Sequence, residues 1–276
     1  LLSIPTMPRL DGVDDFKGDS FHTFSWPHEG YDLTGKKVGI IGTGATAIQV
    51  IGDIADKVGS LHVFQRRANW AAPLNNSKIS KEEMAEIRSR YHQIFEVCNR
   101  TPGGFEHEPD RRGFYEVSRE EREKLWNKLY KEPGFGIWLA NFREIFMDEK
   151  ANEELSEWIA DRIRDRVKDK ATAEKLIPRD HGFGVQRVPL ETGYYEAYNR
   201  PNVHLVDLNE EKLVRVTENG LQTEAAAYDF DVIIYATGFD AITGAYDRID
   251  IRGANGAVLR DKWETRITTY LGMFIE

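Results

Sequence analysis

An apolar run, Val38-Gly39-Ile40-Ile41, gives way to Gly42-Thr43-Gly44-Ala45-Thr46-Ala47 and then to helical periodicity. A strand, a glycine turn and a helix in this order form a cradle for a dinucleotide pyrophosphate. Gly42 permits the tight turn, and Gly44 lets the backbone approach phosphate with no Cβ in the way. Ala47 takes the third position, where a small side chain lets helix and strand pack closely. Backbone N–H groups at Thr43, Ala45 and Thr46, with Gln49 one turn further on, face the anion. The helix dipole favours its negative charge.

The end of the next strand bears on which dinucleotide is bound. NAD and FAD sites carry an acid there for the ribose 2′-OH. This strand ends in Gln65-Arg66-Arg67, with no acid nearby. Two guanidinium groups suit a 2′-phosphate, because they form paired, charge-assisted hydrogen bonds. The alternative is a solvated basic pair. Position favours NADPH, and this glycine turn is then not an FAD site.

The elements that must hold these groups are a βαβ unit. Val38 to Ile41 reads as a buried strand, and the helix places Ile48, Ile51, Ile54, Ala55 and Val58 on one face. Leu61 to Gln65 reads as the second strand, parallel to the first. From about Asn75 to Asp180 the texture changes to long, charged, helically periodic segments such as SREEREKLWNKLYKE. Strands return at Asn202 to Val206, Lys212 to Thr217 and Asp231 to Ala236. The fold class expected is α/β: a Rossmann-like NADP-binding domain over 36–74 and 181–240, split by a helical insertion over 75–180. Residues 1–35, punctuated by Pro5, Pro8, Gly12, Gly18, Pro27, Gly30 and Gly35, read as loop.

Composition narrows the partners. A net charge of -9 argues against a nucleic-acid surface. A single cysteine, Cys98, excludes an internal disulfide and fits a reducing cytoplasm. No apolar run is long enough to span a bilayer, so no integral membrane segment is expected. The histidines lack metal-ligand spacing, so no metal is proposed. The chain opens on Leu1 and stops inside the strand-like phrase TYLGMFIE, which reads as a fragment of a longer protein.

Three further motifs remain. FKGDSFHTFSWP places Phe16, Gly18, His22, Trp26 and Pro27 at the spacing F-x-G-x-x-x-H-x-x-x-W-P and looks like a connector. HGFGVQRVPLETGYY carries Gln186 and Arg187 after a glycine-aromatic turn. An apolar strand, Val232 to Tyr235, ends in Ala236-Thr237-Gly238, small residues that suit a crossing point where cofactors lie against backbone.

Together these motifs resemble the Baeyer–Villiger flavin monooxygenases, along the whole chain though only in kind across the helical insertion. The resemblance implies a flavoprotein with two dinucleotide-binding domains, in which NADPH reduces FAD and O₂ is inserted beside the carbonyl of a ketone or aldehyde. It implies that the fingerprint segment links the two cofactor domains, giving His22 a structural and regulatory role. It implies that Arg187 is catalytic, lying over the flavin. An arginine stays charged at any working pH and so can stabilise an oxygen anion without giving up its proton. Gln186 departs from the lysine often found there to contact the 2′-phosphate, which throws weight onto Arg66 and Arg67. Most FAD contacts, including that cofactor's own glycine motif, are expected upstream, with residues 241–276 starting the return to the FAD-binding domain. Two alternatives stay open: an N- or S-oxygenating flavin monooxygenase, and a non-catalytic NADPH-binding module.

Overall fold

The computed structural model describes residues 2–272 and 275. The chain begins with β1 (Asp19–His22), β2 (Lys37–Ile41), α1 (Ala45–Ile54), β3 (Ser60–Gln65) and β4 (Ala72–Pro73). A helical stretch follows: α2 (Lys81–Ser89), α3 (Tyr91–Arg100), α4 (Arg119–Lys131), α5 (Gly136–Leu139), α6 (Glu149–Arg166) and α7 (Lys170–Lys175). Then come β5 (Leu190–Glu191), α8 (Tyr194–Ala197), β6 (Val203–Asp207) and β7 (Leu213–Val216). Next are β8 (Gly220–Thr223), β9 (Ala227–Asp229) and β10 (Val232–Tyr235). Short helices α9 (Gly244–Asp247) and α10 (Leu259–Trp263) lie beyond them. The phrase TYLGMFIE falls partly outside the described residues, at Met273, Phe274 and Glu276. No helix among the described residues is long and apolar enough to cross a membrane.

Five parallel strands form the main sheet in the order β1-β10-β2-β3-β6. Both faces are covered, which is why β2 and β10 read as nearly unbroken apolar runs. The period of two still sorts them. Val38, Ile40, Val232 and Ile234 join the core with Ile48, Ile51 and Ile54 of α1. Ile41, Ile233 and Tyr235 face the other way, into a cluster with Phe64, Leu221 and Phe230. Each fully buried isoleucine contributes about 2–3 kcal/mol relative to an exposed one, so α1 is held chiefly by its apolar face. The helical stretch packs into the first core through Trp126, Leu155, Ile159 and Ile163.

One reading of the sequence needs correction, and one gains detail. The loop reading of residues 1–35 misses β1, which pairs with β10 as an edge strand of the main sheet. Its four residues, DSFH, bury only His22 fully and carry no clear alternation, so nothing local announces a strand. The expected strand at Lys212 to Thr217 exists, but as β7 of a separate antiparallel sheet with β8 and β9.

Candidate functional site

Strand order runs one way from β2 through β3 to β6, then reverses to β10 on the other side of β2. Such a reversal opens a crevice at the carboxyl ends of the strands, where ligands bind in open α/β sheets. Register fixes what stands along that edge. His22 pairs with Tyr235, Tyr235 with Ile41, and Ile41 with Phe64. The residues just beyond are therefore Ala236, Gly42 and Gln65-Arg66-Arg67, in neighbouring positions.

Gly42 sits at φ +111, and a Cβ there would stand 2.5 Å from the Ala236 carbonyl oxygen. The two central strands can approach this closely only through glycine. Gly44 differs, because a Cβ there would meet no protein atom within 4 Å. Packing within the chain does not require Gly44 to be glycine, whereas a pyrophosphate lying on this backbone would. Helix α1 begins at Gly44 with no side-chain cap and no acid in its first turn, leaving the N–H groups of Ala45, Thr46 and Ala47 for an external acceptor. Ala47 is buried, as its packing role requires. Thr43 is buried too, and its hydroxyl donates to the Arg67 carbonyl at 2.7 Å, tying the turn to the end of β3. Gln49 is exposed and donates to the Leu190 carbonyl at 3.5 Å.

Arg66 and Arg67 are both exposed at the end of β3. The sequence showed no acid near them, and the structure corrects this: Arg67 forms an ion pair with Asp180, 113 residues away. Hydrogen bonds from His181 and Arg67 hold the Asp180 carboxyl below the usual carboxylate range. Arg66 makes no ion pair among the described residues, and its carbonyl accepts from the Asn209 side-chain amide at 3.0 Å.

On the other side of β2, Gly238 adopts φ +80 and Thr237 donates through its hydroxyl to the Thr6 carbonyl. Ala236 N–H donates to the Ile41 carbonyl at 3.0 Å, closing the turn against Gly42. His22, next along the edge, is buried. Its Nδ1 accepts from the Phe24 N–H at 3.0 Å, and its ring packs edge-on to Phe239. Burial lowers its pKa, partly offset by the Gly238 backbone.

The rest of the fingerprint divides. Phe16 and Gly18 lie at the opposite end of β1, where a Cβ on Gly18 would strike the Asp231 carbonyl and the Phe16 ring, each at 2.6 Å. Trp26 stacks edge-on to Phe21 at 4.9 Å, and Pro27 follows it. These residues anchor β1 to the sheet, and only His22 stands at the crevice edge.

Gln186 and Arg187 are exposed on a loop suspended between buried Phe183 and Val188. That loop is tethered to the segment after β3 in three places: the Arg67–Asp180 pair, a Trp70 Nε1 bond to the His181 carbonyl at 2.9 Å, and β4–β5 pairing. A cavity of about 730 Å³ lies between α6 and this loop, touching Trp70, Phe146, His181 and Val185 but not the glycine turn. Sequence reading missed Thr43's tie to Arg67, Asp180, and Gly52, where a Cβ would stand 2.3 Å from the Thr192 carbonyl. The last had a local signal, a glycine inside a helix.

No protein-family model matches the chain. Homologues at 36–50% identity over the whole chain are Baeyer–Villiger monooxygenases. The chain is 50% identical to 2-oxo-Delta(3)-4,5,5-trimethylcyclopentenylacetyl-CoA monooxygenase of Pseudomonas putida, over 99% of this chain and 51% of that protein. It is 41% identical to acetone monooxygenase (methyl acetate-forming) of a Gordonia species, over 100% of this chain and 52% of that protein. The crystal structure of OTEMO in complex with FAD and NADP matches with a TM-score of 0.94 at 51% identity, over 98% of this chain and 52% of that one. The chain thus spans about half the length of the curated relatives it matches. The α/β fold, with its parallel sheet, is the Rossmann-type arrangement of those structures.

Proposed function

From homology along the whole chain to Baeyer–Villiger monooxygenases, we propose that these residues bind NADPH in an enzyme that inserts one oxygen of O₂ beside a ketone or aldehyde carbonyl, giving an ester or lactone. The observation that carries this reading is the meeting of the glycine turn, the Arg66-Arg67 pair and Ala236-Thr237-Gly238 at one switch point. The Gly44 backbone, open where a Cβ would meet nothing, fits a pyrophosphate.

The N–H groups opening α1 bind the pyrophosphate, and Arg66 and Arg67 take the 2′-phosphate. Arg187, carried on its tethered loop, holds a permanent positive charge where negative charge develops on oxygen. His22, whose Nδ1 accepts from the Phe24 N–H and whose ring packs edge-on to Phe239, has a structural and regulatory role and is not a general acid. FAD, when bound, supplies hydride acceptance from NADPH and the activation of O₂. Its contacts fall mainly outside these residues, because the one glycine turn of this type in the sequence is taken by NADPH.

In the same reading, 36–74 and 181–240 form the NADPH-binding domain and 75–180 a helical insertion. Residues 241–276 lead toward the FAD-binding part. A cytoplasmic location and a small-molecule partner, not a nucleic acid, are supported by the net charge of -9 and the single Cys98.

The test is oxidation of a ketone panel by the complete protein with FAD, NADPH and ¹⁸O₂. Ester or lactone carrying one ¹⁸O is the expected product. Oxides of amines or thioethers with no ester would assign the other oxygenase chemistry. NADPH binding with no oxygenated product would leave a nucleotide-binding module.

A further inference from the structure

We infer that Asp180 is a specificity-determining residue of the dinucleotide site: by pairing with Arg67 it competes with a 2′-phosphate and narrows the preference for NADPH over NADH. This rests on the reading of Arg66 and Arg67 as the 2′-phosphate site, and adds to it an acid that the sequence places far away.

The geometry makes the pair a competitor. The backbone at the end of β3 is pinned, with the Arg67 carbonyl accepting from Thr43 at 2.7 Å and the Arg66 carbonyl from Asn209 at 3.0 Å. Only the side chains are left to adjust. Asp180 is held from behind, since its second carboxylate oxygen meets His181 Nδ1 at 2.7 Å. The His181 carbonyl is in turn fixed by Trp70 Nε1. An anchored carboxylate does not follow Arg67 when the guanidinium turns to another anion. The pair is also within reach of solvent, with the Arg67 and Asp180 side chains 60% and 43% exposed, so a phosphate can approach it. With both arginines and Asp180 ionised, the local charge facing a 2′-phosphate is one positive unit instead of two. Nearby Arg179 adds nothing, being paired with Glu174.

The asymmetry between ligands follows. A 2′-phosphate carries nearly two negative charges, is repelled by Asp180 and needs Arg67. A 2′-hydroxyl carries none and is indifferent to the pair. Asp180 thus penalises NADPH selectively.

The experiment is calorimetric titration of the complete protein with 2′,5′-ADP and with 5′-ADP, for wild type, Asp180→Asn, Arg67→Ala and the double variant. Asp180→Asn should bind 2′,5′-ADP about three- to tenfold more tightly, the range of a partly exposed ion pair facing a dianion. Its affinity for 5′-ADP should stay within about twofold. In the Arg67→Ala background the same substitution should lose most of its effect. Unchanged or weaker 2′,5′-ADP binding in Asp180→Asn would overturn the inference. So would an equal gain with Arg67 absent, since that is a field effect and not competition. If wild type already fails to prefer 2′,5′-ADP over 5′-ADP, the NADPH reading falls and takes this one with it. A wild-type preference that Asp180→Asn leaves untouched overturns this inference alone.

Discussion

Helix α1 begins in the opposite way to four of the helices of residues 75–180. Helices α2 and α4 open on Ser80 and Ser118, each in a reciprocal capping box with Glu83 or Glu121. Helices α6 and α7 open on Asp148 and Asp169, whose carboxylates accept from Ala151 and Thr172. Each supplies its own acceptor for the N–H groups that every helix leaves unpaired. Helix α1 supplies none, and stands beside a turn whose Gly44 has open space. Those four helices are complete in themselves; α1, like α3 and α5, lacks a side-chain cap, and it is α1 that opens beside the glycine turn proposed to take a dinucleotide. The lesson is that substitutions in the helical stretch should register as stability, and those at the sheet edge as binding or rate.

The largest effect expected is at Arg187. Replacing it with alanine should remove about 3–4 kcal/mol of barrier lowering in the complete enzyme. The melting temperature should not move, since Arg187 is exposed. Ester yield unchanged in that variant would break the comparison at its functional end. Gly42→Ala is the exception that sharpens it, because this edge residue is also structural. A Cβ at φ +111, 2.5 Å from the Ala236 carbonyl, should cost about 3 kcal/mol in denaturant titration, with nucleotide binding lost as well.

Asn141→Ala tests the self-contained region. Buried Asn141 accepts from Trp126 Nε1 at 3.0 Å and from the Phe142 N–H at 2.9 Å. Leaving these donors unpaired should cost about 2–3 kcal/mol of stability while NADPH affinity in the surviving folded protein stays put. Ser118→Ala should cost about 1 kcal/mol by loss of its cap, again with no change in nucleotide binding. A clear fall in NADPH affinity from either would mean that the two regions are not separable.

How much of this was visible in the sequence follows the same division. The β2–α1–β3 unit was legible because both strands are apolar and α1 repeats its isoleucines at helical spacing. The helices of 75–180 were legible because their periodicity and caps are local. What lay hidden depended on distant partners. Strand β1 is polar and short, and its ladder is completed by β10, more than 200 residues later. Strands β8 and β9 complete, with β7, a three-strand meander whose pairing, not its composition, defines it. Asp180 reaches Arg67 only because β4 and β5 bring residues 178–191 back beside the end of β3. Separate roles for Gly42 and Gly44 were legible in the motif, and the structure adds what the sequence could not: a Cβ at Gly42 would meet the Ala236 carbonyl, whereas one at Gly44 would meet no protein atom.

The central claim is that the edge of the sheet recognises a 2′-phosphorylated dinucleotide. The most direct test compares NADPH and NADH dissociation constants for wild type and for Arg66→Ala/Arg67→Ala in the complete protein. NADPH should weaken by about 2–3 kcal/mol, the worth of two charge-assisted contacts, while NADH changes by less than about 0.5 kcal/mol. Equal losses for both nucleotides would contradict the assignment.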